Sequence, residues 1–491
     1  MSLFKYLKYN TKKYSKKIAL VINEKEYTYE EFFTLVQKLV LVLKKNKISN
    51  KSIVLLIEDN SLSHICCLFA LSYINACIVP ASTYYSFDHL KKLSEIAKVS
   101  AIIGNSKYCF FFKNNSKIKN LIATNKNNNF PYLFNFEKLK NLSLTNKIDS
   151  NKNYIISLSS GSTGNPKPII FSQNTKIQRF ILMKKLYGIN SSDKIILSCP
   201  LDHSLGMRIL FLSVLSGATI VIMNKFLPVK YIDLIKKYSI TFSVLVANQI
   251  YEIVKNNSLL KSFHLKKGLV SASATLNNTT KKKILKNDIK LFEMYGASEI
   301  GTVTSINLKK NKRSLKSVGK TYNKLIKVKI LYKRKKDLSK NKVGEIICST
   351  PGIFKGYLGS KKMNKDAFHG KFFKTGDVGY LDKNGYLYFL GRKKNIIRRS
   401  GITIYPEDIE NTLLLDKKIK EVAVIGKQKN MTDLIYLFVK KEKGVDQEYI
   451  QKICLKKLST FQLPNKIFLI NYMPKSILGK INKNKLKEYL I

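Results

Sequence analysis

The chain has 491 residues, enough for about three structural units at roughly 150 residues each, and 45% of them are apolar, which excludes a disordered or fibrous protein. Lys and Arg number 88 against 32 Asp and Glu, so the net charge is +56. The seven Cys form no C-x-x-C pair and the five His are scattered, which argues against a disulfide scaffold and a structural zinc site and for reduced thiols in a cytoplasmic core.

In chain order, the segment Met1 to Lys17 alternates Lys with Tyr and Leu and has no continuous apolar stretch, so no signal peptide is expected. Tyr29 to Asn46 carries apolar residues at three- and four-residue intervals and predicts a helix. Ser52 to Ile57 and Ala101 to Ile103 are short apolar runs that suit strands buried on both faces. Between them, Ser61 to Phe87 holds no charged residue over 27 positions. Its Ser, Asn75 and Pro80 favour a buried helix running into a buried strand over a transmembrane span. Lys194 to Ser198 and Ala218 to Met223 read as two more buried strands, and Pro228 to Tyr238 as a helix. Short runs such as Lys281-Lys282-Lys283 and Lys333-Arg334-Lys335-Lys336 read as solvated turns. From Lys316 to Leu390 the elements shorten and Gly turns multiply, which predicts a β-rich subdomain. Beyond Lys394, strands are expected at Val422–Ile425 and Ile435–Val439 and a helix over Asp446–Leu458. Strand–helix alternation makes the fold α/β. The expected architecture is a large N-terminal domain of layered α/β subdomains plus the β-rich subdomain, residues 1–392. A small mobile α+β C-terminal domain, residues 393–491, follows.

The most informative stretch is Tyr154 to Lys167. An apolar strand feeds a loop of hydroxyls and glycines, Ser159-Ser160-Gly161-Ser162-Thr163-Gly164, that closes with Lys167. Glycines let the backbone come close to a ligand, successive N–H groups form an anion nest, and the lysine adds a point charge. The set suits a polyphosphate. It is not a Walker A loop, because Asn165-Pro166 separates Gly164 from Lys167.

Here the sequence resembles the adenylate-forming superfamily of acyl-CoA synthetases, luciferases and adenylation domains. Four further blocks stand in that family's order. They are Tyr295-Gly296-Ala297-Ser298-Glu299, then Lys374-Thr375-Gly376-Asp377, then Gly391 to Lys394 with Ser400-Gly401 and Tyr405 to Glu410, and finally Met473 to Asn482. The resemblance implies ATP, Mg²⁺ and CoA as partners of a small carboxylic acid. Residues 159–167 would hold the departing phosphates, and Glu299 would help hold the metal. Ser298 would reach the α-phosphate, with Ala274, Tyr295, Gly296 and Ala297 around the adenine. Asp377 would accept the ribose hydroxyls beside Arg392, and Lys480 would bridge the acyl carboxylate and α-phosphate. Lys394 would be the hinge of a swinging C-terminal domain, and Gly401 would meet the incoming thiol. His203, in Pro200-Leu201-Asp202-His203-Ser204-Leu205-Gly206, is the candidate acyl gate. Asp202 keeps an amino acid substrate open, since amino-acid-activating relatives carry an Asp in a similar motif. Ser204 is the residue that falls at that place in the preferred register. Departures from the pattern are Pro168 for a common Gly and Phe372 for a common Trp. Arg398 and Arg399 are candidates for CoA phosphates.

The first functional reading is therefore an acyl-CoA ligase for a fatty or aryl acid. The second is an adenylating enzyme that loads an acyl carrier protein. The third, of another class, is a charge-driven nucleic-acid binder. The even spread of Lys disfavours that last reading and predicts only salt-sensitive sticking to polyanions.

Overall fold

The computed structural model describes residues 1–137, 148–159, 167–274, 276–311, 315–332, 336–337, 342–399, 402–429, 432–475 and 481–490. Among these residues the chain builds two large mixed sheets. One has nine strands and centres on six parallel ones: Leu291–Ala297, Gly268–Ala272, Phe242–Val246, Lys194–Leu197, Thr219–Ile222 and Ile18–Ile22. The other has seven strands and centres on Asn153–Ser159, Cys77–Ala81, Ile53–Ile57, Ala101–Gly104 and Asn120–Ala123.

Side chains alternate across a strand, so a run that is apolar throughout must be covered on both faces. The packing follows that rule. Leu20, Ile195, Leu197, Ile220, Val54, Leu56 and Ile155 point into one large core shared by the two sheets and the helices between them. Their neighbours Val21, Ile196 and Val221 face a second cluster under the Pro228–Tyr238 helix. Leu55, Ile57 and Ile156 face a third, under the Phe87–Ala97 helix. The uncharged stretch resolves as a Leu62–Ile74 helix, buried from Ser63 onward, and the buried Cys77–Ala81 strand. Among the described residues no helix is long and apolar enough to cross a membrane. All seven Cys are free and buried.

The expected helices at Tyr29–Lys45 and Pro228–Tyr238 are present. The first opens with a capping box, in which Thr28 N donates to Glu31 Oε2 (2.8 Å) and Glu31 N to Thr28 Oγ1 (3.1 Å). The β-rich region is an antiparallel sheet of six strands among the described residues, including Gly344–Ser349, Phe372–Leu381 and Leu387–Arg392. After residue 396 the chain forms strands Val422–Lys429, Thr432–Lys440 and Lys466–Ile470 with helices Pro406–Leu413 and Gln447–Lys457. Their apolar clusters draw on this segment alone.

One expectation fails. Lys281 is not in a solvated turn: it lies in the Asn278–Lys286 helix, 1% exposed, with Nζ 3.2 Å from Glu293 Oε2 and donating to Leu315 O at 2.7 Å. A buried ammonium survives because it is both paired and hydrogen-bonded. In the comparable run 333–336, residues 333–335 lie outside the described residues and Lys336 opens the Lys336–Asp337 strand.

Candidate active site

The Leu291–Ala297 strand returns as Gly301–Asn307 through a turn that carries Ser298 and Glu299. Glu299 therefore sits between two strands, not in the first turn of a helix. The antiparallel register slips between Tyr295 and Gly296. A Cβ at Gly296 would lie 2.0 Å from Gly301 O, so only glycine permits this close approach. Glu299 Oε1 accepts from the Tyr357 hydroxyl at 3.1 Å. Burial, and then the Glu299 charge, push the Tyr357 phenol upward, which keeps it a donor.

Asp377 lies on the Phe372–Leu381 strand directly opposite Arg392. Gly376 before it has φ +70°, a left-handed conformation that the Thr-Gly-Asp sequence supplies. The Asp377 carboxylate is buried; Oδ2 accepts from Tyr295 OH at 2.7 Å and Oδ1 pairs with Arg392 Nε at 2.8 Å. Tyr295 is thus a buried phenol tied to Asp377, with its ring 6.1 Å from that of Phe389. Burial and the Asp377 charge hold its pKa well above the ordinary value.

These groups line one cleft of 2310 Å³, together with Lys167, His203, Ala274, Gly296, Ala297, Ser298, Glu299 and Lys394. Lys167 opens the Lys167–Ser172 strand, which pairs with Asn153–Ser159 so that Ser159 and Lys167 are opposite each other. His203 precedes the Ser204–Ser216 helix, and its Nε2 is 4.0 Å from Asp202 Oδ2. Ser204 lines the cleft, while Asp202 is buried outside it and faces Tyr85 and His64. Lys394 lies in a single 3₁₀ turn, Lys393–Asn395. Burial, then the neighbouring Lys487, Arg392 and Lys167 charges, lower its pKa. The cleft rim there is strongly cationic, which suits a polyphosphate. Arg399 is spent elsewhere, since Nη1 donates to Phe461 O and Leu463 O.

Ser160, Gly161, Ser162, Thr163, Gly164, Gly401 and Lys480 lie outside the described residues, as does the side chain of Ser159. The residues flanking 476–480 are described. Lys475 and Ile481 pair with each other, and both line the cleft.

Sequence reasoning missed Arg179. It is buried on the Gln173–Tyr187 helix. Nη2 donates to Ser298 O and Glu299 O, both at 2.9 Å, and Nε donates to Gly352 O at 2.7 Å. The guanidinium fork clamps the turn that carries Ser298 and Glu299. The one available sign was a basic residue four positions before Met183, on the same helical stripe. Tyr357 was missed too, because nothing local links it to Glu299.

A hard cation fits the donor set. Among the described residues no group of three His, Cys, Asp or Glu could hold a metal by itself. Glu299, one carboxylate of the cleft wall, suits Mg²⁺ arriving with nucleotide phosphates, since Mg²⁺ takes few protein ligands.

With this geometry in view, comparison with known proteins gives a consistent result. The profile of the AMP-binding enzyme family matches residues 7–358. The chain belongs to that family, and it is an AMP-forming acid–thiol ligase in class. It is similar to a 2-succinylbenzoate–CoA ligase of Listeria innocua, 26% identical over 478 residues and 96% of each chain. It is also similar to 4-coumarate–CoA ligase 3 of Arabidopsis thaliana, 25% identical across 97% of this chain and 89% of that one. Two solved structures share the fold. ATP-bound MatB from Rhodopseudomonas palustris has a TM-score of 0.91 at 21% identity, covering 100% of this chain and 99% of that one. An o-succinylbenzoate CoA synthetase from Bacillus subtilis, in complex with its acyl-adenylate intermediate, has a TM-score of 0.86 at 19% identity, covering 98% and 97%.

Proposed function

We infer that this ligase activates an aryl-type carboxylic acid with ATP and passes the acyl group to the thiol of CoA. The observation that carries the reading is the buried Tyr295–Asp377 pair, held by the half-exposed Arg392, lining one cleft with Glu299 in a chain that matches the family over 7–358.

A carboxylate is a poor acyl donor because its leaving group would be oxide. Attack of its oxygen on the α-phosphorus of ATP expels pyrophosphate and leaves a mixed anhydride, whose later leaving group is AMP. The enzyme's share of that step is positioning and charge neutralisation. Asp377 takes the ribose hydroxyls. Arg392, Lys167 and the loop at 160–166 meet phosphate charge, and Glu299 holds the Mg²⁺ that accompanies it. Lys480 steers the two reacting oxygens together, His203 borders the acyl end, and Tyr295 with Ala274, Gly296 and Ala297 encloses the base. We further read residues 393–491 as a domain that pivots at Lys394. In one pose it presents Lys480, and in the other the Gly401 region and a thiol path.

The decisive experiment is a screen of carboxylic acids for ATP-dependent pyrophosphate release, with and without CoA. Acid-dependent release, with an acyl-CoA product when CoA is added, is expected. Adenylate that transfers only to a carrier-protein phosphopantetheine would replace CoA as acceptor. Release with no acid in the panel would remove the ligase reading.

A further inference from the structure

The geometry points to a second anion site at the acyl end of the cleft, built on Arg208, so that the preferred acid carries a distal carboxylate besides the one it activates. This rests on the ligase reading above and names the substrate class within it. Arg208 lies on the Ser204–Ser216 helix, a little over one turn beyond His203, and lines the cleft with His203, Ser204 and Leu205. It is only 8% exposed. Nη1 donates to Thr302 Oγ1 at 3.2 Å, whereas Nε is buried with no partner among the described residues.

A guanidinium does not shed its proton in a protein, and a buried charge is normally met by a carboxylate. Among the described residues no carboxylate acts on Arg208. Its titratable neighbours are the phenols of Tyr322 and Tyr187, and two further buried cations, Lys176 and Arg179, are close enough to feel its charge. Arg179 is engaged already, with Nε and Nη2 on main-chain carbonyls and Nη1 on Ser204 Oγ at 3.4 Å. The void between Lys176, Arg179, Ser204 and Arg208 measures 10 Å³, room for about one water. The space into which an anion can come is the cleft. A planar carboxylate on the acid would meet the guanidinium fork and supply the missing countercharge. A neutral acyl chain would leave the charge unanswered.

The test compares matched acids on the intact enzyme with ATP, Mg²⁺ and CoA. One pair is 2-succinylbenzoate against β-benzoylpropanoate, the same skeleton without the ring carboxylate. Wild type should favour the diacid in kcat/KM by about 10- to 100-fold, the worth of one charged hydrogen-bonded contact. Arg208→Met should erase that preference through KM for the diacid, leaving KM for ATP and turnover of the neutral acid near wild type. Arg208→Lys should restore part of it. Equal use of both acids by wild type, or preference for the neutral one, would overturn the proposal alone. Turnover of neither while other acids release pyrophosphate would likewise overturn it, and no release with any acid would sink the ligase reading too. The wild-type comparison stands even if the Met variant does not fold.

Discussion

Asp377 already spends two acceptor positions on Tyr295 and Arg392. A carboxylate offers about four, and we read Asp377 as the acceptor of the ribose diol. Asp377→Ala should therefore raise KM for ATP and lower kcat/KM by about 100-fold in pyrophosphate release. An unchanged ATP dependence would take Asp377 out of the nucleotide site. Arg179 acts one step back from the chemistry. Arg179→Met strips donors from the carbonyls of Ser298, Glu299 and Gly352, at a cost of about 3 kcal/mol in urea unfolding. It should lower kcat more than it raises KM, because the loosened turn carries Ser298 and Glu299. Wild-type kcat together with wild-type stability would show the clamp to be idle. The two residues differ in legibility. Asp377 announces itself in the Lys374-Thr375-Gly376-Asp377 block, which the structure places within the Phe372–Leu381 strand. The carbonyls that Arg179 clamps lie 119, 120 and 173 residues away, and main-chain carbonyls leave no mark in a sequence.

At the scale of elements, strands that are apolar on both faces, such as Ile53–Ile57 and Lys194–Leu197, were readable because two-sided burial needs an unbroken apolar run. Lys281 was misread because a helix turns successive residues by about 100°. The first Lys of the triplet faces inward to Glu293, and Lys282 and Lys283 face out. The Lys393–Asn395 turn is the one short connector between the Leu387–Arg392 and Ile397–Arg399 strands. Proline locks φ and removes an N–H, so Lys394→Pro should obstruct a pivot there. Adenylate formation should stay near wild type while thioester formation from preformed adenylate falls about tenfold or more. Equal loss of both half-reactions would reject the hinge. Lys480→Ala should do the reverse. Adenylate formation should fall about 100- to 1000-fold, the usual cost of one lost charge-stabilising group, with thioester formation nearly intact. Rapid-quench assays of each half-reaction decide both.

For the whole molecule, +56 of net charge dominates the far field. Retention on heparin or on DNA of any sequence should be strong at low salt and fall steeply between roughly 50 and 200 mM. Salt-resistant, base-selective binding would revive the nucleic-acid reading. Composition, apolar periodicity and the order of five motifs settled the α/β class, the β-rich middle and the family, because those features are local and each imposes its own burial pattern. Only the tertiary structure decided that Lys281 is internal, that Asp202 is buried outside the cleft while Ser204 lines it, and that Arg208 is buried without a countercharge among the described residues. Each of those depends on which distant strand or helix is laid against it, and that is set by the packing of two sheets over hundreds of residues.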